Sequence, residues 1–147
     1  ALQAGLSEAA GRHKGRVYLN MGFREDLAHK IYAGSDIFLM PSRYEPCGLG
    51  QLIAMRYGTI PAAKRTGGLA DTVGDYDPIQ RTGTGFLFSD HTPSGLHDCV
   101  KRAFGAYINR AEWQRLIKNA MAMDFSWRNS AAKYMELYER AVRARRP

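Results

Sequence analysis

The sequence predicts an α/β fold of βαβ units arranged around a mostly parallel sheet. Short strand-like and helix-like segments alternate between residues 16 and 88, as they do where helices connect parallel strands. Residues 36–40 are almost entirely apolar, which is typical of a strand buried on both faces of a parallel sheet. After Pro93 the pattern is helical only. A length of 147 residues suffices for one domain with its own core.

The first elements are two strands with a helix between them. Residues 16–20 are rich in strand formers and predict the first strand. Residues 25–34 predict a helix with Gly34 as its C-cap. Its apolar stripe, at spacings of three and four, is formed by Leu27, Ala28, Ile31 and Tyr32. Residues 36–40 predict the second strand, which ends at Pro41.

A second helix and a short strand follow. Residues 49–57 predict a helix that stops at Gly58. Its expected buried side chains are Leu49, Leu52, Ile53 and Tyr57. Residues 59–63 predict a strand, and Pro61 indicates that its pairing is partial, because proline donates no ladder hydrogen bond.

The rest of the chain predicts one more strand and then three helices. Gly67 and Gly68 open a loop or short helix, the polar residues 74–85 predict a surface loop, and residues 85–88 predict a strand. Three helical stripes follow: Leu96, Val100, Ala103, Phe104 and Tyr107; Trp113, Leu116, Ile117, Ala120 and Met121; Ala131, Met135, Tyr138 and Val142. Ser126 is the expected N-cap of the last helix.

Composition narrows the class of protein. The chain is 45% hydrophobic and 24% charged, as in globular domains, and no apolar run approaches the roughly 20 residues that span a bilayer. Cys47 and Cys99 cannot form a disulfide framework, which favours a reducing compartment, and the four histidines lack metal-ligand spacing with them. We therefore predict no metal or other cofactor.

Residues 1–11 lack an initiator Met and a signal-peptide layout, which suggests a processed end or the cut end of a larger chain.

The net charge of +7 suggests an anionic partner, which could be nucleic acid, a membrane surface or a nucleotide phosphate. Much of the excess lies in residues 128–147, where six basic residues face two acidic ones. Basic residues at a helix C-terminus complement the macrodipole and are usually solvated. We therefore interpret most of this charge as a solvated helix end.

The turn in residues 41–50 is the first candidate site, because ligands of open α/β sheets bind at the carboxyl ends of strands. Glu45 lies at the exit of the strand, and the backbone N–H groups of Gly48, Leu49 and Gly50 lie at a helix start, where phosphate or sugar hydroxyls can bind. A glutamate there repels a bare phosphate but suits a ligand with phosphate at one end and a developing positive centre nearby, such as a nucleotide-sugar. The alternative is that this turn is only a tight connection between the strand and the helix and binds no ligand.

Other residues near this edge indicate a binding site less strongly. Thr66, Gly67 and Gly68 form a second glycine loop beside Lys64 and Arg65.

Phe23 follows the first predicted strand and could stack on a nucleobase, although a core role is the more common one for an isolated Phe. Cys47 lies near a helix N-terminus, which lowers a thiol pKa, but no partner histidine can be assigned. We therefore interpret Cys47 as a small packing residue.

Four segments together closely resemble the C-terminal part of bacterial glycogen synthases and plant starch synthases. They are PSRYEPCGL at 41–49, RYGTIP at 56–61, RTGGLADTV at 65–73 and MDFSW at 123–127, within a match that runs over residues 15–138. The resemblance implies the GT-B architecture of two Rossmann-like domains facing across a cleft. Residues 1–147 then correspond to the C-terminal, sugar-nucleotide-binding domain, incomplete at its N-terminal edge.

The resemblance also implies the chemistry: a retaining transfer of glucose from ADP-glucose, less often UDP-glucose, to the non-reducing end of an α-1,4-glucan. Glu45 corresponds to the cleft carboxylate near the donor glucose, where it helps stabilise oxocarbenium-like charge. The remaining implied donor-binding residues are Phe23 for the base, Cys47, Gly48, Leu49 and Gly50 for hydroxyls and phosphate, and Thr66, Gly67 and Gly68 lining the cleft. The family commonly has Thr where Gly50 stands, so one hydroxyl contact is missing.

The family's pyrophosphate-binding Arg and Lys precede the matched segment, so we expect the isolated chain to be inactive. The expected partners are ADP-glucose or ADP, with the glucan bound through a missing N-terminal domain. The expected location is the cytoplasm of a bacterium, or the plastid stroma of a plant.

Two other functions remain open. A stand-alone nucleotide-sugar-binding module would use the same edge without catalysis. Nucleic-acid binding is disfavoured, because basic and aromatic residues do not interleave on the strands. We expect neither a nucleic-acid nor a membrane partner.

Overall fold

The chain forms two compact units, Ala1–Lys30 and Ile31–Pro147. The computed structural model describes residues 2–145. The first unit contains helix α1, Leu2–Arg12, which has no buried residue. Helix α2, Glu25–Gly34, begins in the first unit and ends in the second, with the predicted bounds.

Residues 16–20 do not form the predicted strand. Val17 and Tyr18 are 47% and 85% exposed, and neither has a ladder partner among the described residues. The residue types favour a strand, but a strand also needs the N–H and C=O groups of a neighbour, and the sequence of one segment does not supply that neighbour.

The second unit is built on a parallel three-stranded sheet, as predicted. Its strands are β1, Ile37–Met40; β2, Ile60–Lys64; and β3, Phe86–Phe88. They lie in the order β1-β2-β3, with Ile37 opposite Ile60 and Ala62 opposite Phe86. Helix α3, Gly50–Tyr57, connects the first pair, and helix α4, Gly67–Thr72, follows β2. The predicted βαβ arrangement is therefore confirmed.

The positions of the strands decide their burial. β2 lies in the centre, and its first four residues are buried. It pairs with β1 through Pro61, whereas its pairing with β3 starts only at Ala62, so the partial pairing predicted from the proline is confirmed. β1 is an edge strand with Leu39 47% exposed, so the expectation that it is buried on both faces was wrong.

Alternation along the strands divides the core into two clusters. On one face, Ile60, Ala62, Phe86 and Phe88 pack with residues of three helices: α3, α5 (Pro93–Ile108) and α6 (Arg110–Met121). On the other face, Ala63 and Leu87 pack with Leu69 and Val73 at α4. The period of two along β2 and β3 thus places helices on both sides of the sheet.

The face of helix α3 that is buried matches the prediction only in part. Leu52 and Ile53 are half-buried, and Leu52 packs against the core, as expected. The fully buried residues are Gln51, Ala54 and Met55, whereas Leu49 and Tyr57 are 71% and 45% exposed. The helix packs between β2 and α6, and this position turns the polar Gln51 inward. It ends at Gly58, the predicted stop, in a left-handed C-cap conformation.

The C-terminal helices follow the predicted periodicity but differ in burial. In α5, Cys99, Ala103 and Ala106 are buried, while Phe104 is 58% exposed. In α6, the predicted Trp113, Leu116 and Ala120 are buried, although Met121 is 43% exposed.

Helix α7, Trp127–Ala144, has no buried residue, so its predicted stripe is not covered. Ser126 occupies its N-cap position, as predicted, but its side chain does not cap the helix. Instead, hydrogen bonds from Ser126 lower the pKa of Asp124. Among the described residues, no helix combines the length and the apolar character needed to cross a membrane.

Candidate functional site

The loops that follow the three strands meet at the carboxyl edge of the sheet. His91, after β3, has its Nε2 atom 3.3 Å from the carbonyl oxygen of Pro41, which follows β1. Arg65, directly after β2, donates its backbone N–H to the carbonyl of Phe88 at 2.8 Å. The structure therefore brings together the two glycine loops that the sequence selected, residues 41–50 and 66–68, and it adds the segment around His91.

The two glycine loops are in direct contact. The backbone N–H of Gly68 donates to the carbonyl of Glu45 at 3.0 Å and to that of Pro46 at 3.1 Å. A Cβ atom at Gly67 would collide with the Glu45 carbonyl, and one at Gly68 would collide with the Cys47 carbonyl. Glycine is required at both positions because the second loop lies against the backbone of the first.

Glu45 lies in the turn after β1 and is half-buried. Its backbone carbonyl accepts a hydrogen bond from the N–H of Gly68, while its carboxylate forms no ion pair within residues 2–145. A carboxylate that is not neutralised by a cation can stabilise positive charge that develops on a bound ligand.

The start of α3 provides backbone N–H groups beside Glu45. Leu49 is the N-cap residue, and its side chain makes no capping hydrogen bond. The first N–H groups of a helix have no intrahelical acceptor, so they can bind phosphate or hydroxyl oxygens. Gly48 adopts φ +71°, a left-handed conformation that favours glycine.

Gly50 is crowded by aromatic side chains. A Cβ atom there would lie 3.1 Å from Cε1 of Phe38 and 3.3 Å from the hydroxyl oxygen of Tyr32. These two rings pack edge-on, with centroids 5.2 Å apart. The absence of a side chain at Gly50 therefore matches the packing of this chain around the first turn of α3.

Two interpretations of single residues need correction. Cys47 is exposed, so it is not the packing residue that we expected. Phe23 is 92% exposed and lies in the first unit, so the alternative core role is wrong. Its proposed contact with a nucleobase stays a prediction. Thr66 is half-buried at the N-cap of α4, where its hydroxyl makes no capping hydrogen bond.

Sequence reasoning missed a polar network behind the second loop. The Asp75 carboxylate lies 2.7 Å from the Arg102 guanidinium and 3.8 Å from that of Arg65. Arg65 adjoins the second glycine loop, whereas Arg102 comes from α5. The sequence could not reveal this network, because its members are distant along the chain and Asp75 stands in a loop that looked merely polar.

Gln51 was also missed. It is a completely buried polar residue, and its side-chain amide donates hydrogen bonds at the start of α3. The available signal was a glutamine directly after the glycine-rich turn, followed by the apolar run of residues 52–55.

The residues at the carboxyl edge of the sheet do not line the cavity beside α3. A cavity of about 460 Å³ lies between α3 and the segment after α6, where its lining includes Met55, Met121 and Phe125. Neither Glu45 nor a glycine loop lines it. The candidate site is thus an open edge of the second unit. Within the described residues, no group of three His, Cys, Asp or Glu side chains is placed to hold a metal ion.

Two curated bacterial proteins illustrate the sequence similarity. The chain is 53% identical over 133 residues to the glycogen synthase of Geotalea daltonii, covering 90% of this chain and 28% of that protein. It is 52% identical over 132 residues to the glycogen synthase of Desulforudis audaxviator, covering 89% of this chain and 26% of that protein. The chain thus spans little more than a quarter of the length of these relatives.

Solved structures show the same fold. The catalytic domain of starch synthase IV from Arabidopsis thaliana, bound to ADP and acarbose, matches with a TM-score of 0.83 and 42% identity, over 95% of this chain and 30% of that one. Sucrose-phosphate synthase from Thermosynechococcus elongatus matches with a TM-score of 0.65 and 24% identity, over 97% of this chain and 34% of that one, which supports the fold alone.

These matches confirm the predicted α/β class and its GT-B affinity. Residues 7–122 match the family of glycosyl transferases group 1. Because this match covers most of the chain, the chain belongs to the group 1 glycosyl transferases.

Proposed function

We propose that this chain is the C-terminal, sugar-nucleotide-binding domain of a retaining glucosyltransferase that extends an α-1,4-glucan with glucose from ADP-glucose. The observation that carries the proposal is the contact between the Glu45 turn and the second glycine loop at the carboxyl edge of the sheet. The identity to named glycogen synthases and the likeness to an ADP-bound starch synthase support the choice of reaction.

The proposed division of labour follows the chemistry of each group. The amides of Cys47, Gly48, Leu49 and Gly50 bind donor hydroxyls and the distal phosphate. Thr66, Gly67 and Gly68 line the cleft on the other side. Glu45 lies near the donor glucose and stabilises the positive charge that develops on the sugar as the bond to ADP breaks. Phe23 stacks on the adenine.

The departing ADP needs positive charge. Lys64 and Arg65 lie beside the second glycine loop, but Arg65 is engaged by Asp75. We propose that further cations and the glucan acceptor groove belong to a part of the protein outside residues 1–147, and that the isolated chain does not elongate glucan. The bacterial relatives favour a bacterial cytoplasm over a plastid.

A chimeric enzyme tests this function. This chain would replace the matching 133-residue segment of the Geotalea daltonii glycogen synthase, and glucan elongation from ADP-glucose would be measured. We expect the chimera to be active and Glu45→Gln to lower kcat by about a hundredfold or more, because the stabilising carboxylate is lost. The melting temperature should stay unchanged.

Glu8→Gln is the matched control, because Glu8 is an exposed carboxylate on α1 whose ion-pair partner is Arg12. It should leave turnover intact. A folded but inactive chimera would contradict the proposed function, and a fully active Glu45→Gln chimera would contradict the role of Glu45.

A further inference from the structure

Gln51 is a buried polar side chain at the start of α3, with 0% of its surface exposed. Its Nε2 atom donates to the carbonyl of Cys47 at 3.2 Å and to that of Gly48 at 2.9 Å. The same atom donates to Oγ1 of Thr72 at 3.1 Å, in helix α4 and 21 positions along the chain. One amide group therefore joins the turn after β1 to the helix that carries the second glycine loop.

The hydroxyl of Thr72 extends this connection. It accepts from Gln51 and donates to the carbonyl of Gly68. Gly68 in turn donates its N–H to the carbonyls of Glu45 and Pro46. The turn and the second loop are thus joined twice, by the Gly68 N–H and by the chain from Gln51 through the Thr72 hydroxyl to the Gly68 carbonyl, in which the first bond polarises the second.

The same amide has an energetic cost. Oε1 of Gln51 is buried and has no hydrogen-bond partner among the described residues. A buried, unpaired acceptor destabilises the folded state, whereas a methionine of similar length would fill this space without one. Packing therefore does not account for a glutamine here, but the hydrogen bonds from Nε2 do, since its two hydrogens face three acceptors and one of them is shared.

We propose that Gln51, together with Thr72, is a positioning residue that holds the Glu45 turn against the second glycine loop. This inference rests on the proposed function, because it assigns a role within the same site. Gln51 acts through the backbone carbonyls of Cys47 and Gly48 and does not touch the substrate. Without its donor, only the Gly68 N–H still joins the turn to the loop, so the contact loosens and Glu45 and the amides of α3 no longer face one donor molecule in a fixed geometry.

Hydrogen exchange of the 147-residue chain tests the clamp without any activity assay. In Gln51→Met, we expect faster exchange at the amides of residues 48–50 and 67–72, with unchanged exchange in β2 and a melting temperature that changes little, because loss of the unpaired Oε1 offsets loss of the donor. Thr72→Val should have the same effect, and Thr72→Ser should restore protection because it keeps the hydroxyl. Gln114→Met, an identical change at an exposed position of α6, is the control.

The chimeric synthase tests the consequence for catalysis. Gln51→Met should lower kcat by about tenfold or more while KM for ADP-glucose changes less, since misplacement affects the reacting geometry most. Thr72→Ser should retain kcat, and Thr72→Val should lose it.

The outcomes separate this inference from the proposed function. Unchanged loop exchange in Gln51→Met would overturn the clamp, as would a uniform rise in exchange with a lower melting temperature, which indicates a merely structural residue. Unchanged kcat would overturn the positioning role. An inactive chimera with the unsubstituted chain would instead contradict the proposed function, while the exchange experiment would still decide the clamp.

Discussion

The two cysteines have opposite surroundings. Cys47 is exposed in the turn after β1, whereas Cys99 is 2% exposed on the inner face of α5. Burial raises the pKa of Cys99 from 9.0 to about 11, and the nearby Arg102 only partly offsets this. The sequence favoured a packing role for Cys47, but Cys47 lies in an exposed turn at the carboxyl edge of the sheet, so its thiol is accessible. Residue type therefore did not predict which thiol is accessible.

Thiol labelling checks this difference. At pH 8 we expect one fast-reacting thiol per chain, Cys47, and one slow thiol, Cys99. Because the folded pKa of Cys99 lies above pH 8, only about a thousandth of it is thiolate, and its reactivity should rise toward pH 11. An aromatic disulfide reagent measures both phases. Cys47→Ser should remove the fast phase alone, and two equally fast thiols would contradict the burial of Cys99.

Among the elements, β3 is an edge strand whose outer hydrogen-bonding groups are satisfied by side chains. The N–H of Leu87 donates to Asp75 at 2.8 Å, and its carbonyl accepts from Arg102 at 3.2 Å. The two side chains also pair with each other. The segment that the sequence predicted as a polar surface loop, residues 74–85, therefore covers the strand edge, and Tyr76 within it is buried. A polar composition identifies a loop but not its partners.

Asp75→Ala should destabilise the second unit. The substitution leaves the N–H of Leu87 and the guanidinium of Arg102 without their carboxylate, which costs about 1–3 kcal/mol in the free energy of unfolding. Denaturant unfolding measures the loss. Asp98→Ala, on the exposed face of α5, is the control and should change stability by less than about 0.5 kcal/mol. Equal stabilities for the two variants would show that the edge of β3 does not depend on Asp75.

On the scale of the whole molecule, the charge and the size of the chain bear on its partners. The net charge of +7 is compatible with a polyanion, but the candidate site presents two glycine loops and a carboxylate rather than a basic surface. The chain spans 28% of the Geotalea relative, and its described sheet has three strands. These features are compatible with our proposal that the chain binds one diphosphate and that catalysis needs groups outside residues 1–147.

Titration of the isolated chain distinguishes these partners. We expect ADP to bind with a Kd on the order of 0.1–1 mM, because the loops are preformed but the cations that we propose to neutralise the diphosphate lie outside residues 1–147. Elongation of glucan should be absent. Calorimetry measures ADP binding, and no heat at millimolar ADP would contradict a preformed site.

Duplex DNA provides the comparison. Binding driven by phosphate contacts falls by about a thousandfold or more between 50 and 200 mM salt, so we expect none at the higher concentration. Binding that survives there would favour a nucleic-acid partner.

The sequence by itself determined the order of most elements, the position of Glu45 in a glycine-rich turn and the family. These depend on local properties: the period of the apolar residues, the Gly and Pro residues at the ends of elements, and the sequence motifs. Only the tertiary structure decided that residues 16–20 form no strand, that α3 buries Gln51 and exposes Leu49, and that α7 has no buried residue. Each of these depends on a neighbour from a distant segment. Ladder partners, covering helices and the acceptors of a buried amide are supplied by the fold, and no single segment encodes them.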